Sequence, residues 1–221
     1  MKFYNIATGL FRGFCNIFFK YEIVGMENLP KEGRVIMAAN HKSNLDPIFV
    51  AAAVKKREIS AIAKKELFDI KPLGFILGKL NVIPIDRDKP SISTIKEILK
   101  NIKKGYAVGI FPEGTRVPGK EFGSGKAGVA MFAAKGKANI VPVSIISTYK
   151  PFSRVKIYVD KPISMEAYFK GKHSNEEYEA ASQEIMNVII KNYCEQADGI
   201  VDTEGIKYLE CPKVQETTEE N

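Results

Sequence analysis

Short β-branched runs alternate with stretches of helical periodicity along most of this chain, and that alternation predicts an α/β domain. The predicted class is a single α/β domain with a mixed, largely parallel sheet flanked by helices, plus an N-terminal amphipathic helix. Length agrees, because 221 residues at 45% apolar and 27% charged suffice for one substantial core. So does continuity, since no repeat and no long linker divides the sequence. The expected division is a helix over 1–21, the main domain over 22–198 and a polar, acidic tail over 199–221.

The first segment, 3–19, is strongly apolar but carries Asn5, Arg12, Gly13 and Asn16, which a bilayer-spanning helix would avoid. At helical spacing Phe3, Ile6, Leu10, Phe14, Ile17, Phe18 and Tyr21 share one face, and Lys2, Asn5, Arg12, Asn16 and Lys20 turn toward the other. Such a helix either caps its own core or lies in a membrane interface. The Phe18-Phe19-Lys20-Tyr21-Glu22 run supplies no small-residue cleavage site for a secretory signal. Residues 34–39 then read as a strand, and Asp46-Pro47 as the cap and first turn of an apolar helix over 48–56. A strand follows at 59–63, a helix over 67–79 bent or begun at Pro72, and a strand at 82–86. Ile92, Ile95, Ile98, Leu99 and Ile102 mark a helix closed by Lys103, Lys104 and Gly105. A buried strand at 106–111, a small-residue helix at 126–135, and strands at 140–147 and 155–160 complete the core. The long helix over 175–197 closes the domain, and residues 215–221 have no apolar side to bury.

Composition narrows the function. Cys15, Cys194 and Cys211 are too few and too far apart for a disulfide scaffold or a zinc site, which suits a reducing compartment. Residues 1–160 hold 27 Lys and Arg against 13 Asp and Glu, while 161–221 hold 6 against 13. The basic body suits an anionic partner, such as a phosphorylated ligand or an anionic membrane. Most single lysines are ordinary solvated surface. The clusters Lys55-Lys56-Arg57, Lys64-Lys65 and Lys103-Lys104 carry more weight as phosphate or membrane contacts.

Only His41 and His173 can act as a neutral-pH imidazole base. His173 lies in the polar loop Gly171-Lys172-His173-Ser174-Asn175-Glu176, and an exposed loop histidine is its ordinary reading. His41 follows an apolar strand and precedes Asp46 by five residues, so the loop between can fold the carboxylate back onto one ring nitrogen. Two arginines follow strand ends in company with a carboxylate, Arg87 in Ile85-Asp86-Arg87 and Arg116 in Phe111-Pro112-Glu113-Gly114-Thr115-Arg116. Either alone would read as a surface ion pair. Together at equivalent strand ends, two guanidinium forks suit a shared phosphate.

Other motifs fail on context. Gly123-Ser124-Gly125-Lys126-Ala127-Gly128 fits Gly-x-Gly-x-x-Gly, but no apolar strand runs into it. The same stretch misses a P-loop, with Ala127 in place of the hydroxyl residue, and there is no Gly-x-Ser-x-Gly elbow. With no Trp and no helix-turn-helix signal, nucleic-acid binding would rest on charge alone.

The blocks Asn40-His41-Lys42-Ser43-Asn44-Leu45-Asp46, Ile83-Pro84-Ile85-Asp86-Arg87, Phe111-Pro112-Glu113-Gly114-Thr115-Arg116 and Val141-Pro142-Val143 stand in this order. Together they resemble the four-block pattern of the glycerolipid acyltransferases, most of all bacterial 1-acyl-sn-glycerol-3-phosphate acyltransferases, over about residues 20–195. Asn81 and Pro84 depart from the second block, and Phe122, Lys126 and Gly128 resemble a basic patch after the third with its spacing stretched. The resemblance implies His41 as general base on the free hydroxyl of lysophosphatidate and Asp46 as its orienter. Arg87, Glu113, Gly114, Thr115, Arg116 and Lys126 would hold the glycerol phosphate, and Val141-Pro142-Val143 would line the acyl pocket or the core. The donor would be a thioester of acyl carrier protein or coenzyme A, with no cofactor and no metal, and the enzyme would sit peripherally on the cytoplasmic face of the membrane. Glycerol 3-phosphate or another lysophospholipid is the alternative acceptor. A non-catalytic binder of anionic membranes is the competing class, needing the basic clusters and the Phe-rich helix but not His41 with Asp46.

Overall fold

A computed structural model of the chain describes residues 2–55, 57–86 and 90–212. Seven strands form one sheet in the order β1, β7, β6, β2, β5, β3, β4. Their ranges are β1 Lys20–Val24, β2 Val35–Ala39, β3 Ile59–Lys64, β4 Ile83–Ile85, β5 Ala107–Ile110, β6 Asn139–Ser147 and β7 Arg154–Val159. All neighbours pair in parallel except β6 with β7, so the sheet is mixed and largely parallel as expected.

The helices are α1 Lys2–Phe18, α2 Asp46–Ala53, α3 Leu73–Lys79, α4 Ile92–Lys103, α5 Gly128–Gly136 and α6 Asn175–Glu195. The central strand β2 is buried along its whole length, which is why it reads as a continuous apolar run rather than an alternation. Its Ile36 and Ala38 face a core completed by Ile98 and Ile102 of α4, Val129 and Ala133 of α5, and Met186 and Ile189 of α6. Val35, Met37 and Ala39 face the opposite core, with Phe49 of α2 and Cys15 of α1. Ser174 and Glu177 form a reciprocal capping box that starts α6, and the Ser91 side chain accepts the Thr94 amide to start α4.

Some local expectations change. The N-terminal helix stops at Phe18 rather than 21, and Tyr21 belongs to β1, where its hydroxyl donates to the Phe49 carbonyl. Of the two readings of α1, a cap on its own core or a face left outside it, the bulky apolar stripe follows the second and the helix docks by another face. Tyr4, Ala7, Thr8 and Cys15 are buried, whereas Leu10 and Ile17 are 68% and 67% exposed. Small side chains let α1 approach α2 closely, and Arg12 donates to the Ala52 carbonyl instead of facing outward with Lys20. The helix over 67–79 resolves into a 3-10 turn, Lys65–Phe68, followed by α3 beginning after Pro72. In the polar, acidic segment after Gly199, Ile200 is buried and Val201, Ile206 and Leu209 pack on the α6 side of the core. Residues 213–221 lie outside the described residues.

Candidate active site

The carboxyl-terminal ends of β2 and β5, adjacent parallel strands, position the site. Asn40 ends β2 by pairing through its side chain with the main chain of Ile145, donating to the carbonyl at 3.0 Å and accepting the amide at 2.8 Å. The amide side chain thus takes the strand's next ladder position, and the main chain is released to turn outward at His41. The His41 carbonyl then accepts the Val117 amide, and its own amide donates to Glu113 Oε2 at 2.6 Å.

Asp46 joins this loop to α2, but not as the expected cap. It is the first residue of the helix, Leu45 holds the cap position, and no side chain caps the helix amides. Its carboxylate turns back instead. Oδ2 accepts the amides of Lys42 and Ser43, each at 2.7 Å, and lies 3.0 Å from His41 Nδ1. Two amides already donate to this oxygen, so the compatible histidine tautomer carries its proton on Nδ1 and leaves Nε2 as the basic nitrogen. Oδ1 accepts the hydroxyl of Tyr149 at 2.7 Å. Asp46 is fully buried and His41 is 6% exposed, with its ring stacked on Phe111 at 3.9 Å between centroids.

Glu113, expected among the phosphate-holding residues, is 3% exposed. Both of its oxygens accept main-chain amides, those of His41 and Gly123. Burial raises its pKa to about 7 in spite of those two donors and the nearby Lys42 ammonium. Lys42 is buried as well. Its ammonium donates to the carbonyls of Gly119 and Glu121, each at 2.8 Å, and lies 3.8 Å from the Phe122 ring centroid, tying the loop after β5 to the His41 segment.

Gly114 follows Glu113 in the left-handed region, φ 68°, which glycine enters without steric cost. Gly114, Thr115, Arg116 and Lys126 are exposed at this end of the sheet. Phe111 and Glu113, which touch His41, also wall a cavity of about 670 Å³ lined by Ile62, Ile95 and Met131 and by Gly114 and Lys126. A cavity of similar size, about 700 Å³, lies at the other end of α2 among Leu29, Val54 and Arg57, away from the histidine.

The structure therefore gathers His41, Asp46, Glu113, Gly114, Thr115 and Lys126 around one end of the sheet, with Arg116 on the same loop. Arg87 lies outside the described residues, as does Lys56. Arg57 is not available to headgroups, because its guanidinium donates to the carbonyls of Pro30, Gly33 and Gly105. His173 is half-buried between Tyr168 and Tyr178 rather than exposed. Val141 and Val143 are fully buried in the core. Sequence reasoning missed Tyr149 and the role of Lys42. Lys42 stood inside the recognised block, but nothing in spacing could link Tyr149 to Asp46 across 103 residues. The Gly-x-Gly-x-x-Gly match also finds its explanation, since a Cβ on Gly125 would lie 2.4 Å from the Ser182 carbonyl oxygen of α6. That glycine permits helix packing.

The family described as Acyltransferase matches residues 20–146. A 1-acyl-sn-glycerol-3-phosphate acyltransferase of Bacillus subtilis is 37% identical over 123 residues, 56% of this chain and 61% of that protein. This chain thus spans less than two thirds of that relative's length. An enzyme of the same name from Helicobacter pylori is 31% identical over 190 residues, covering 82% of this chain and 80% of its own length. The crystal structure of the 1-acyl-sn-glycerophosphate acyltransferase PlsC from Thermotoga maritima superposes with a TM-score of 0.71 at 26% identity, over 89% of this chain and 79% of that one. With more than half its length matched and the paired His41 and Asp46 in the first block, the chain belongs to the Acyltransferase family.

Proposed function

We propose that this chain transfers a fatty acyl group from an acyl thioester to the free hydroxyl of 1-acyl-glycerol 3-phosphate, giving phosphatidate. The observation that carries the reading is the 3.0 Å contact of His41 Nδ1 with buried Asp46, beside a largely apolar cavity whose lining includes Lys126. His41 Nε2 takes the hydroxyl proton as the oxygen attacks the thioester carbonyl, and Asp46 stabilises the imidazolium that forms. Collapse of the tetrahedral intermediate breaks the C–S bond, and the leaving thiolate recovers the proton. General-base help of this kind is worth roughly 10² to 10⁴ in rate, so positioning supplies much of the rest. Direct attack also suits the cysteines: Cys15, the one fully buried in the core, has its thiol raised to about 11 by burial, far from an activated thiolate.

Arg116, Lys126 and the loop at Gly114 and Thr115 are assigned to the acceptor phosphate, with Arg87 as the second guanidinium. Glu113 takes a positioning part instead, because a carboxylate would repel phosphate and both its oxygens already hold main-chain amides. The apolar cavity suits the acyl chain, and the basic body suits acyl carrier protein or coenzyme A as donor.

Membrane association belongs to the same reading. No helix among the described residues is long and apolar enough to cross a membrane. The exposed stripe of α1, with Leu10, Phe14, Ile17 and Phe18, is joined through Tyr4, Ala7 and Leu80 to α3, whose Phe75 is 68% exposed. Such a surface suits the cytoplasmic membrane interface, where a lipid acceptor meets a soluble donor.

The test is acyl transfer by the purified chain with lysophosphatidate, lysophosphatidylglycerol and glycerol 3-phosphate as acceptors, each against both donors. Lysophosphatidate should give the highest kcat/KM, and Arg116→Ala should raise its KM while leaving the donor KM unchanged. Absence of transfer to every acceptor would leave the membrane-binding class instead.

A further inference from the structure

We propose that Tyr149 is a positioning residue for acyl transfer, its hydroxyl holding Asp46 Oδ1 so that Oδ2 meets His41 Nδ1 in the orientation proton abstraction requires. The inference rests on the acyl-transfer reading above. It starts from an asymmetry in the Asp46 contacts. The amides of Lys42 and Ser43 and the imidazole all converge on Oδ2, while Oδ1 is held by Tyr149 at 2.7 Å. A carboxylate gripped at one oxygen can still turn about its Cβ–Cγ bond, which is a soft torsion. A donor on the second oxygen fixes the plane and so fixes the lone pair that the imidazole uses.

Three local features hold that donor in place. Tyr149 lies just past β6 with φ 60°, a left-handed conformation uncommon for a bulky residue. Such backbone persists only where its surroundings impose it. Here the Tyr149 amide donates to Ser147 Oγ at 2.9 Å, and the ring stacks on fully buried Phe49 of α2, 6.2 Å between centroids and 18° from parallel. Burial and the adjacent Asp46 charge also push the phenol above its ordinary range, so the hydroxyl stays protonated and keeps donating. The residue thus ties the end of β6 to a dyad built on β2 and α2.

The experiment is steady-state acyl transfer by Tyr149→Phe, which keeps the ring against Phe49 and removes only the donor. We expect kcat to fall about 10- to 100-fold, with both KM values within about twofold of wild type and an unchanged far-ultraviolet spectrum. Because the effect runs through Asp46, adding Tyr149→Phe to Asp46→Asn should cost no more than about threefold further. Should the Phe variant fold poorly, Ser147→Ala offers a second route. It frees the Tyr149 amide while keeping ring and hydroxyl, and should lower kcat about 3- to 10-fold without changing KM. A Tyr149→Phe enzyme retaining more than half of wild-type kcat, losing only KM, or losing equally with and without Asp46 would overturn the proposal. A wild-type chain that transfers no acyl group would sink the acyl-transfer reading and this inference with it. An active wild type beside an equally active Tyr149→Phe would sink this inference alone.

Discussion

Replacing Glu113 by Gln should change how stability depends on pH as well as how fast the enzyme turns over. The Glu113 carboxyl is buried and its pKa is raised from 4.5 to about 7, first by desolvation, with the amides of Gly123 and His41 acting in the opposite direction. Between those two values the folded chain binds more protons at this site than the unfolded chain does. This contribution is therefore fully present below 4.5 and is lost as pH rises through 7. A shift of that size corresponds to about 3 kcal/mol across the window, at about 1.4 kcal/mol per pKa unit. Gln cannot ionise, so that slope should vanish in the variant. It also accepts through one oxygen only, leaving one of the two amides opposite an NH2 group and costing about 1 to 3 kcal/mol at low pH. The wild-type advantage should thus be largest at pH 4.5, shrink as pH rises, and vanish or reverse by pH 8, where the wild type has lost about 3 kcal/mol. Urea unfolding of both proteins at intervals from pH 4.5 to 8 measures this directly. A Glu113→Gln profile parallel to wild type would refute the buried-charge argument, and unchanged kcat at pH 8 would refute its part in holding the His41 main chain.

Two further variants test packing and surface. Gly125→Ala should lower the thermal midpoint by about 6 to 12 °C, because its Cβ would press on the main chain of Ser182 and cost about 3 kcal/mol; an unshifted midpoint would mean that α6 yields freely. A Leu10→Asp, Ile17→Asp double variant should bind anionic vesicles at least about 10-fold more weakly while keeping its activity on detergent-dispersed acceptor, since both residues are already exposed. Wild-type vesicle binding by that variant would move the membrane contact away from α1.

The legible parts of this protein were those governed by local periodicity. The helix of α4 shows its apolar face at regular spacing, and β2 is a run of apolar residues because both of its faces are covered. The His41 and Asp46 pair was also legible, since only four residues separate the two and the Lys42 and Ser43 amides among them turn the carboxylate back toward the ring. Long-range contacts were not. The Asp46 carboxylate abandons its helix because three donors converge on it from the preceding loop, an arrangement that the Asp-Pro signal conceals. The bulky stripe of α1 left two readings open, core cap or membrane interface, because hydrophobicity alone does not say which neighbour a helix meets; the helix docks instead through Tyr4, Ala7, Thr8 and Cys15. Arg57 lay in a basic run and was read as a phosphate or membrane contact, whereas loop carbonyls from Pro30, Gly33 and Gly105 hold its guanidinium. The glycine spacing near Gly125 failed as a ligand loop for want of a preceding strand but had no other reading, and the approach of α6 explains Gly125.

The most direct test of the central claim is the turnover of His41→Ala on lysophosphatidate and an acyl thioester. The substitution leaves the main-chain bonds to Glu113 and Val117 in place, so the fold and acceptor binding should survive. With the base removed, kcat should fall by about 10² to 10⁴ while the KM for lysophosphatidate stays within about twofold. A folded His41→Ala protein that kept more than about a tenth of wild-type kcat would contradict general-base catalysis by this histidine.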